Sequence, residues 1–241
     1  MYNRFSDLYD KLVFDIDYIK YSDNIFQILQ KNGILEGKIL EIGCGTGNLT
    51  QQLARKNYHI LAFDNSIEML NVAFPKLIEL ENVNLVMQDM YKFRYKDYSF
   101  DAVISLLDVI NYISDEKKLE KLFADIYSGL REGGVFIFDL NSYDKLINVL
   151  GNNTFVYEKD NVFYTWENRL EDDLVHFNLN FFVEEDGMYE RISETQVERY
   201  YEIDFIVELL EKIGFKNIKF IDEDGGKYTE KTQRILFSAK K

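Results

Sequence analysis

Residues 40–50, LEIGCGTGNLT, limit what this chain can fold into more than any other stretch. An apolar run carrying Glu41 passes into Gly43, Gly45 and Gly47, and then into polar residues that open an amphipathic segment. Glycine supplies the positive φ of a sharp turn and lets backbone touch a ligand without Cβ interference. In an open α/β sheet, a turn between strand and helix lies beyond a strand's carboxyl end, where ligands bind. The spacing is G-x-G-x-G. Asn48 stands where the dinucleotide fingerprint G-x-G-x-x-G has its third glycine, which weakens a pyrophosphate reading.

The rest of the first 150 residues fits such a sheet. KILEIG, HILAFD, VNLVMQD and VFIFDL read as apolar strands, and FDAVISLLDVINYI contains another, at least through Leu106. Between them lie helical segments: NLTQQLARKN, SIEMLNVAF begun by Ser66, and DEKKLEKLFADIYSGLREGG. In the last, Leu119, Leu122, Phe123, Ile126 and Leu130 form one stripe, and Gly133 and Gly134 are expected to end it. Pro75 is expected to break or kink its helix. Residues 17–32 place Tyr18, Tyr21, Ile25, Ile28 and Leu29 on a helical stripe of their own. Strand–helix alternation with continuous apolar strands implies a parallel sheet with helices on both faces.

After about residue 153 the pattern changes. TFVYEKD, VFYTWENRL, LVHFNLNFFVEE and YERISETQVERYY are separated by turn signals, which predicts a four-stranded antiparallel meander. Val175, Phe177, Leu179, Phe181 and Val183 alternate onto one face. A helix, DFIVELLEKIGF, follows, with Asp204 as its expected N-cap and Gly214 past its end; NIKFIDE and TQRILFSAK then read as strands. The expected organisation is an α/β unit over 1–150 and 202–241, with 153–201 inserted.

A formal charge of −14 provides no basic footprint for nucleic acid or an anionic membrane. Cys44 is the one cysteine, so no internal disulfide forms, and no run reaches transmembrane length. The reading is a cytoplasmic protein with a small-molecule partner, no nucleic-acid or membrane partner, and a monomeric or weakly dimeric state. No Cys/His spacing suggests a metal site. His59 and His176 are the two histidines, and both read as surface residues.

Carboxylates recur at the strand ends. Asp64 ends the second strand, where an acid accepts hydrogen bonds from ribose hydroxyls. Asp89 ends the third, placed to hold an adenine amino group, with Met90 and Met69 as apolar contacts to the ring. Glycines and acids in this order specify an adenosine-type ligand.

ILEIGCGTGNLT, FDNS, MQDM, FDAVISLLDVINYI and LREGGVFIFDL resemble the ordered motifs of class I S-adenosylmethionine-dependent methyltransferases. YNRFSDLYDKL resembles the N-terminal lid of the family's small-molecule branch, and the inserted meander resembles that branch too. The resemblance implies a Rossmann-like seven-stranded α/β sheet with a lid over about 1–32 and the inserted sheet as acceptor-side cap. It implies S-adenosyl-L-methionine as cofactor, S-adenosyl-L-homocysteine as product, and a small-molecule acceptor, for which an amine is one candidate and the methylated atom (N, O or C) is left open. By the same resemblance, Glu41 and the loop of Gly43, Cys44, Gly45 and Gly47 hold the methionine part. Asp64 holds the ribose, Asp89 and Met90 the adenine, and the Leu106 carbonyl the amino group, with Asn65 as a further cofactor contact. Asp108, Asn111 and Tyr112 follow the fourth strand, where family members place residues near the transferred methyl. Tyr9 and Tyr2 would cap the cofactor. Relatives often carry a histidine in the meander's last strand; here Gln196 stands there, followed by Arg199 and Tyr200. Two other classes fit parts of the pattern: a nicotinamide-dependent oxidoreductase, and a methyltransferase-like module that binds without catalysis.

Overall fold

The computed structural model describes residues 5–12 and 16–241; Tyr2 lies outside the described residues. Helix α1 (Phe5–Leu12) precedes α2 (Tyr18–Lys31). Asp17 caps α2 by accepting the Lys20 N–H at 3.0 Å. An alternating series follows: β1 (Gly37–Ile42), α3 (Asn48–Ala54), β2 (Tyr58–Asp64), α4 (Ile67–Leu77), β3 (Val83–Met87) and β4 (Phe100–Ser105). It continues through a short turn at Val109–Tyr112, α5 (Glu116–Gly129) and β5 (Leu130–Asn141). Ser66 caps α4 and Asp115 caps α5 through their side-chain oxygens, supplying acceptors that the first helical turn lacks.

The large sheet has seven strands in the order β3–β2–β1–β4–β5, followed by two strands from the chain's last part, Arg234–Lys240 (β11) and then Lys216–Asp222 (β10). Strands β1 to β5 are parallel; β11 runs antiparallel to both β5 and β10. The order reverses between β1 and β4, so the crevice beyond their carboxyl ends is the switch point. One face is covered by α2, α3 and α4, with Ile25, Leu29, Leu53 and Leu70 packed against Ile39, Ile60 and Ile104. The other is covered by α5 and α6 (Ile203–Ile213), with Leu122, Phe123 and Ile206 against Phe136, Phe138 and Phe237.

Between β5 and α6 the chain forms a helical turn (Asp144–Leu150) and a four-stranded antiparallel sheet. Its strands are β6 (Thr154–Lys159), β7 (Val162–Glu171), β8 (Leu174–Glu185) and β9 (Met188–Arg199). The alternation in β8 buries Val175, Phe177, Phe181 and Val183, as the pattern predicts. Tyr164, Phe181 and Val183 pack with Leu8 of α1, so this sheet's inner face meets the N-terminal helix.

Local boundaries depart from the sequence reading. Pro75 does not break α4, which runs on to Leu77, because a proline in the last turn removes only one intrahelical bond. Helix α5 ends at Gly129, and Leu130, expected on its stripe, already pairs with Phe100 as a strand residue. Glu202, not Asp204, is the N-cap of α6; Asp204 lies within its first turn.

Candidate active site

The three glycines of the β1–α3 loop all have positive φ: +72°, +53° and +77° at Gly43, Gly45 and Gly47. A Cβ at Gly43 would fall 2.5 Å from Val109 Cγ2, so the glycine lets the loop lie against the turn after β4. Gly47 faces α4, where a Cβ would meet Leu77 Cδ1 at 2.9 Å. Its role is helix packing, and it does not line the adjoining cavity. Gly45 has open space in front of it. Its N–H donates to Asp64 Oδ2 at 2.9 Å, while Asp64 Oδ1 accepts the Ser66 N–H at 2.9 Å. The carboxylate ending β2 thus ties the glycine loop to the start of α4.

A cavity of about 550 Å³ opens beyond the carboxyl ends of β1, β2 and β4, within the size range of small-molecule sites. One side is walled by Glu41, Gly43, Cys44, Gly45, Asp64 and Asn65, and by Asp89, Met90 and Leu106. Met69 and Gln88 join that wall. Glu41 is 3% exposed and its Oε2 has no hydrogen-bond partner. Burial, with the charge of Asp64, pushes its carboxyl up to about 7. Asp89 lies two residues past β3 and accepts the Tyr91 N–H at 2.8 Å. Burial pushes the Cys44 thiol up as well, which leaves a small, unreactive loop residue.

The opposite side is built by Tyr9, Tyr18, Asp108, Tyr112, Glu194 and Gln196. Tyr112 donates its hydroxyl to Gln196 Oε1 at 2.9 Å, joining the turn after β4 to β9. Asp108 Oδ1 lies 2.5 Å from Nη1 of Arg234, a residue of β11. Glu194 and Gln196 are alternate residues of β9 and reach the site from the inserted sheet.

Other expected residues lie elsewhere. Asn111 is buried and engaged: its Nδ2 donates to the Arg199 carbonyl at 2.8 Å and its Oδ1 accepts the Asn141 N–H at 3.0 Å. It braces β9 to β5 and is not part of the cavity wall. Arg199 pairs with Asp173 at 2.7 Å and Glu116 at 2.6 Å, and Tyr200 donates to Glu202 at 3.0 Å. His59 is exposed on the second residue of β2, away from the site; His176 lies on β8, half-buried, 3.7 Å from Glu171. Residues not singled out from sequence include Glu194, Glu68 and Gln88 in the wall, and Arg234 and Asp139 behind it. Asp139 is completely buried within β5 and carries a carboxyl that burial pushes up against the opposing charge of Arg234. The available signal was a lone acid inside the apolar run VFIFDL.

Charge is one-sided here. Glu41, Asp64, Glu68, Asp89, Asp108 and Glu194 line the cavity, and no lysine, arginine or histidine does among the described residues. Among the described residues, no group of three or more His, Cys, Asp or Glu is placed to hold a metal ion. No helix of the described residues is long and apolar enough to cross a membrane.

Comparison with known proteins agrees with this geometry. A family model described as a methyltransferase domain matches residues 39–134, from β1 to the beginning of β5. A methyltransferase-named protein of Geobacillus sp. (strain WCH70) is 31% identical over 250 residues, covering 100% of this chain and 99% of its own length. A second methyltransferase-named relative, YqeM of Bacillus subtilis (strain 168), is 28% identical over 248 residues, covering 100% of this chain and 97% of its own. The crystal structure of an S-adenosylmethionine-dependent methyltransferase from Clostridium acetobutylicum ATCC 824 superposes with a TM-score of 0.89 at 40% identity, covering 99% of this chain and 98% of that one. Sheet order, glycine loop and relatives over the full length together assign the chain to the class I S-adenosylmethionine-dependent methyltransferases, enzymes that use S-adenosylmethionine as cofactor.

Proposed function

We propose that this enzyme transfers the methyl group of S-adenosylmethionine to the nitrogen of a small amine, which binds as its cation and gives up that proton to water before its freed lone pair attacks the methyl carbon and the sulfur departs as the thioether. The carrying observation is the acceptor side of the cavity, where Asp108 and Glu194 supply carboxylates and, among the described residues, no cationic side chain lines the cavity. A protonated amine is attracted to such walls; a phosphate or carboxylate acceptor meets like charge and no partner.

The residues present fit the cofactor. Oε2 of Glu41 is a buried acceptor without a hydrogen-bond partner, suited to the ammonium of the methionine part. The open space before Gly45 admits a ligand against bare main chain. Asp64 and Asn65 would hold the ribose, Asp89 with Met90 and Met69 the adenine, and the Leu106 carbonyl the amino group. When bound, the donor supplies a methyl already activated on sulfur, so alignment and exclusion of water are the main tasks left to the protein. Alignment of this kind lowers a barrier by roughly 7–11 kcal/mol.

On the acceptor side, Asp108 directs one oxygen to Arg234 and offers the other to the amine N–H. Glu194 supplies a second negative charge, Tyr112 and Gln196 hold the shape of the wall, and Tyr9 covers it. Residues 1–150 and 202–241 would bind the cofactor, with a lid over about 1–32, and 153–201 would cap the acceptor. This pocket suits a free small molecule rather than a nucleic acid, and the chain would act as a monomer or weak dimer.

Incubation with methyl-labelled S-adenosylmethionine and matched panels of amines, phenols and carboxylic acids tests the reading. Label is expected in primary or secondary amines only. Label in phenols or acids, with none in amines, contradicts it.

A further inference from the structure

Leu107 and Asp108 are consecutive non-glycine residues with φ of +60° and +61°, directly after β4 in the cavity wall. L-residues seldom enter this region, and two in succession, one of them a leucine, call for surroundings that hold them there. A single carboxylate is placed to do so. Asp139 of β5, fully buried, accepts the Leu107 N–H on Oδ2 and the Asp108 N–H on Oδ1, each at 2.9 Å. Tyr21 of α2 donates its hydroxyl to the same Oδ2 at 2.8 Å. Arg234 Nη1 stands 3.5 Å from that oxygen and 2.5 Å from Asp108 Oδ1. Asp139 itself does not line the cavity.

We infer that Asp139 is a positioning residue for methyl transfer: by clamping both amides it holds the left-handed pair and aims the Asp108 carboxylate at the acceptor. The inference rests on the proposed placement of Asp108 beside the transferred methyl. A carboxylate meets two N–H donors with two acceptor oxygens. An asparagine offers one oxygen and sets an NH₂ against the other N–H. The side chain keeps its size, yet one of the two amides loses its partner and the pair is released. Arg234 completes the device, because one guanidinium bridges the clamp and the carboxylate it aims.

Calorimetry with two cofactor analogues separates positioning from general stability. S-adenosylhomocysteine has no group at the methyl position; sinefungin carries an amine there. The wild-type enzyme is expected to bind sinefungin more tightly, and Asp108→Asn to erase that advantage. Asp139→Asn should lose at least tenfold more affinity for sinefungin than for S-adenosylhomocysteine. Tyr21→Phe, which leaves both amide bonds in place, should shift the two ligands equally. If Asp108→Asn erases the advantage while Asp139→Asn weakens both ligands alike, this inference fails and the proposed function stands. If Asp108→Asn leaves the advantage intact, the placement of Asp108 fails and the inference with it. Should Asp139→Asn not fold, amide hydrogen exchange on the wild-type protein decides. Leu107 and Asp108 amides exchanging as slowly as those of β5 support the clamp; exchange at the rate of free loop amides overturns it.

Discussion

The Gly45 N–H points at Asp64 Oδ2 across 2.9 Å, so the turn after β1 and the end of β2 are one hydrogen-bonded unit. Asp64 thereby serves the loop and the proposed ribose site together. Asp64→Ala removes a charged acceptor from both. Hydrogen bonds to charged groups are worth roughly 1.5–3 kcal/mol, so S-adenosylhomocysteine affinity should fall about 10- to 150-fold by calorimetry. The melting temperature should fall too, since the Gly45 and Ser66 amides lose their acceptor. Unchanged affinity contradicts the assignment.

Glu41 predicts a pH dependence. Its carboxyl is raised from an ordinary 4.5 to about 7, so the free protein holds it neutral at pH 6. A cofactor ammonium beside it favours the ionised form, so binding below pH 7 releases a proton. Affinity should therefore weaken as pH falls from 8 to 6, approaching about tenfold per pH unit below 7. Glu41→Gln should flatten that slope. The folding sign is the reverse: stability from the raised carboxyl is fully present below about 4.5 and lost as pH rises through 7. At pH 8 Glu41→Gln should raise the melting temperature of the ligand-free protein.

Asp10 fastens the N-terminal helix to the glycine loop. Asp10 of α1 accepts from Thr46 Oγ1 at 2.6 Å and Asn48 Nδ2 at 2.9 Å, and pairs with Lys76 Nζ at 2.5 Å. Burial alone would raise its carboxyl, but the bonds from Lys76, Thr46 and Asn48 outweigh it and hold the group below its usual range. Its contribution is therefore present above pH 3.8, the ordinary value, and lost as pH falls through the lowered one. Asp10→Ala should expose residues 5–12 to limited proteolysis and speed S-adenosylhomocysteine release by about fivefold, the effect of losing roughly 1 kcal/mol. Unaltered cleavage and release would show that the helix is held by packing alone.

Asp108 and Glu194 should govern the acceptor without governing the cofactor. For an amine substrate, Asp108→Asn is expected to lower kcat/KM by about 10- to 100-fold, on the scale of a charged hydrogen bond. Glu194→Gln should act mainly by raising KM. Affinity for S-adenosylhomocysteine should stay within a few-fold in both. A loss of cofactor affinity larger than the loss of turnover would move Asp108 out of the acceptor site.

How far the sequence carries depends on how local the cause is. Asp64 was legible because a strand end and its acid are adjacent in the chain. The sheet was legible because apolar strands and amphipathic stripes repeat within short windows, as in the stripe from Leu119 to Ile126 that α5 buries. Long-range contacts were not legible. Arg234 meets Asp108 only because β11 returns beside β5, and Glu194 reaches the cavity only because β9 folds back over it. Asn111 lies next to wall residues in sequence, but the turn directs its amide to β5 and β9. Asp139 reads as one acid in an apolar strand; its use appears once the left-handed pair after β4 is seen.

The most direct test of the account is a crystal structure with S-adenosylhomocysteine bound. The account predicts adenosine between Asp64, Asp89 and Met90, the homocysteine ammonium at Glu41, and the sulfur facing Asp108, Tyr112 and Glu194. Homocysteine density directed away from Asp108, or adenosine outside this cavity, would contradict it.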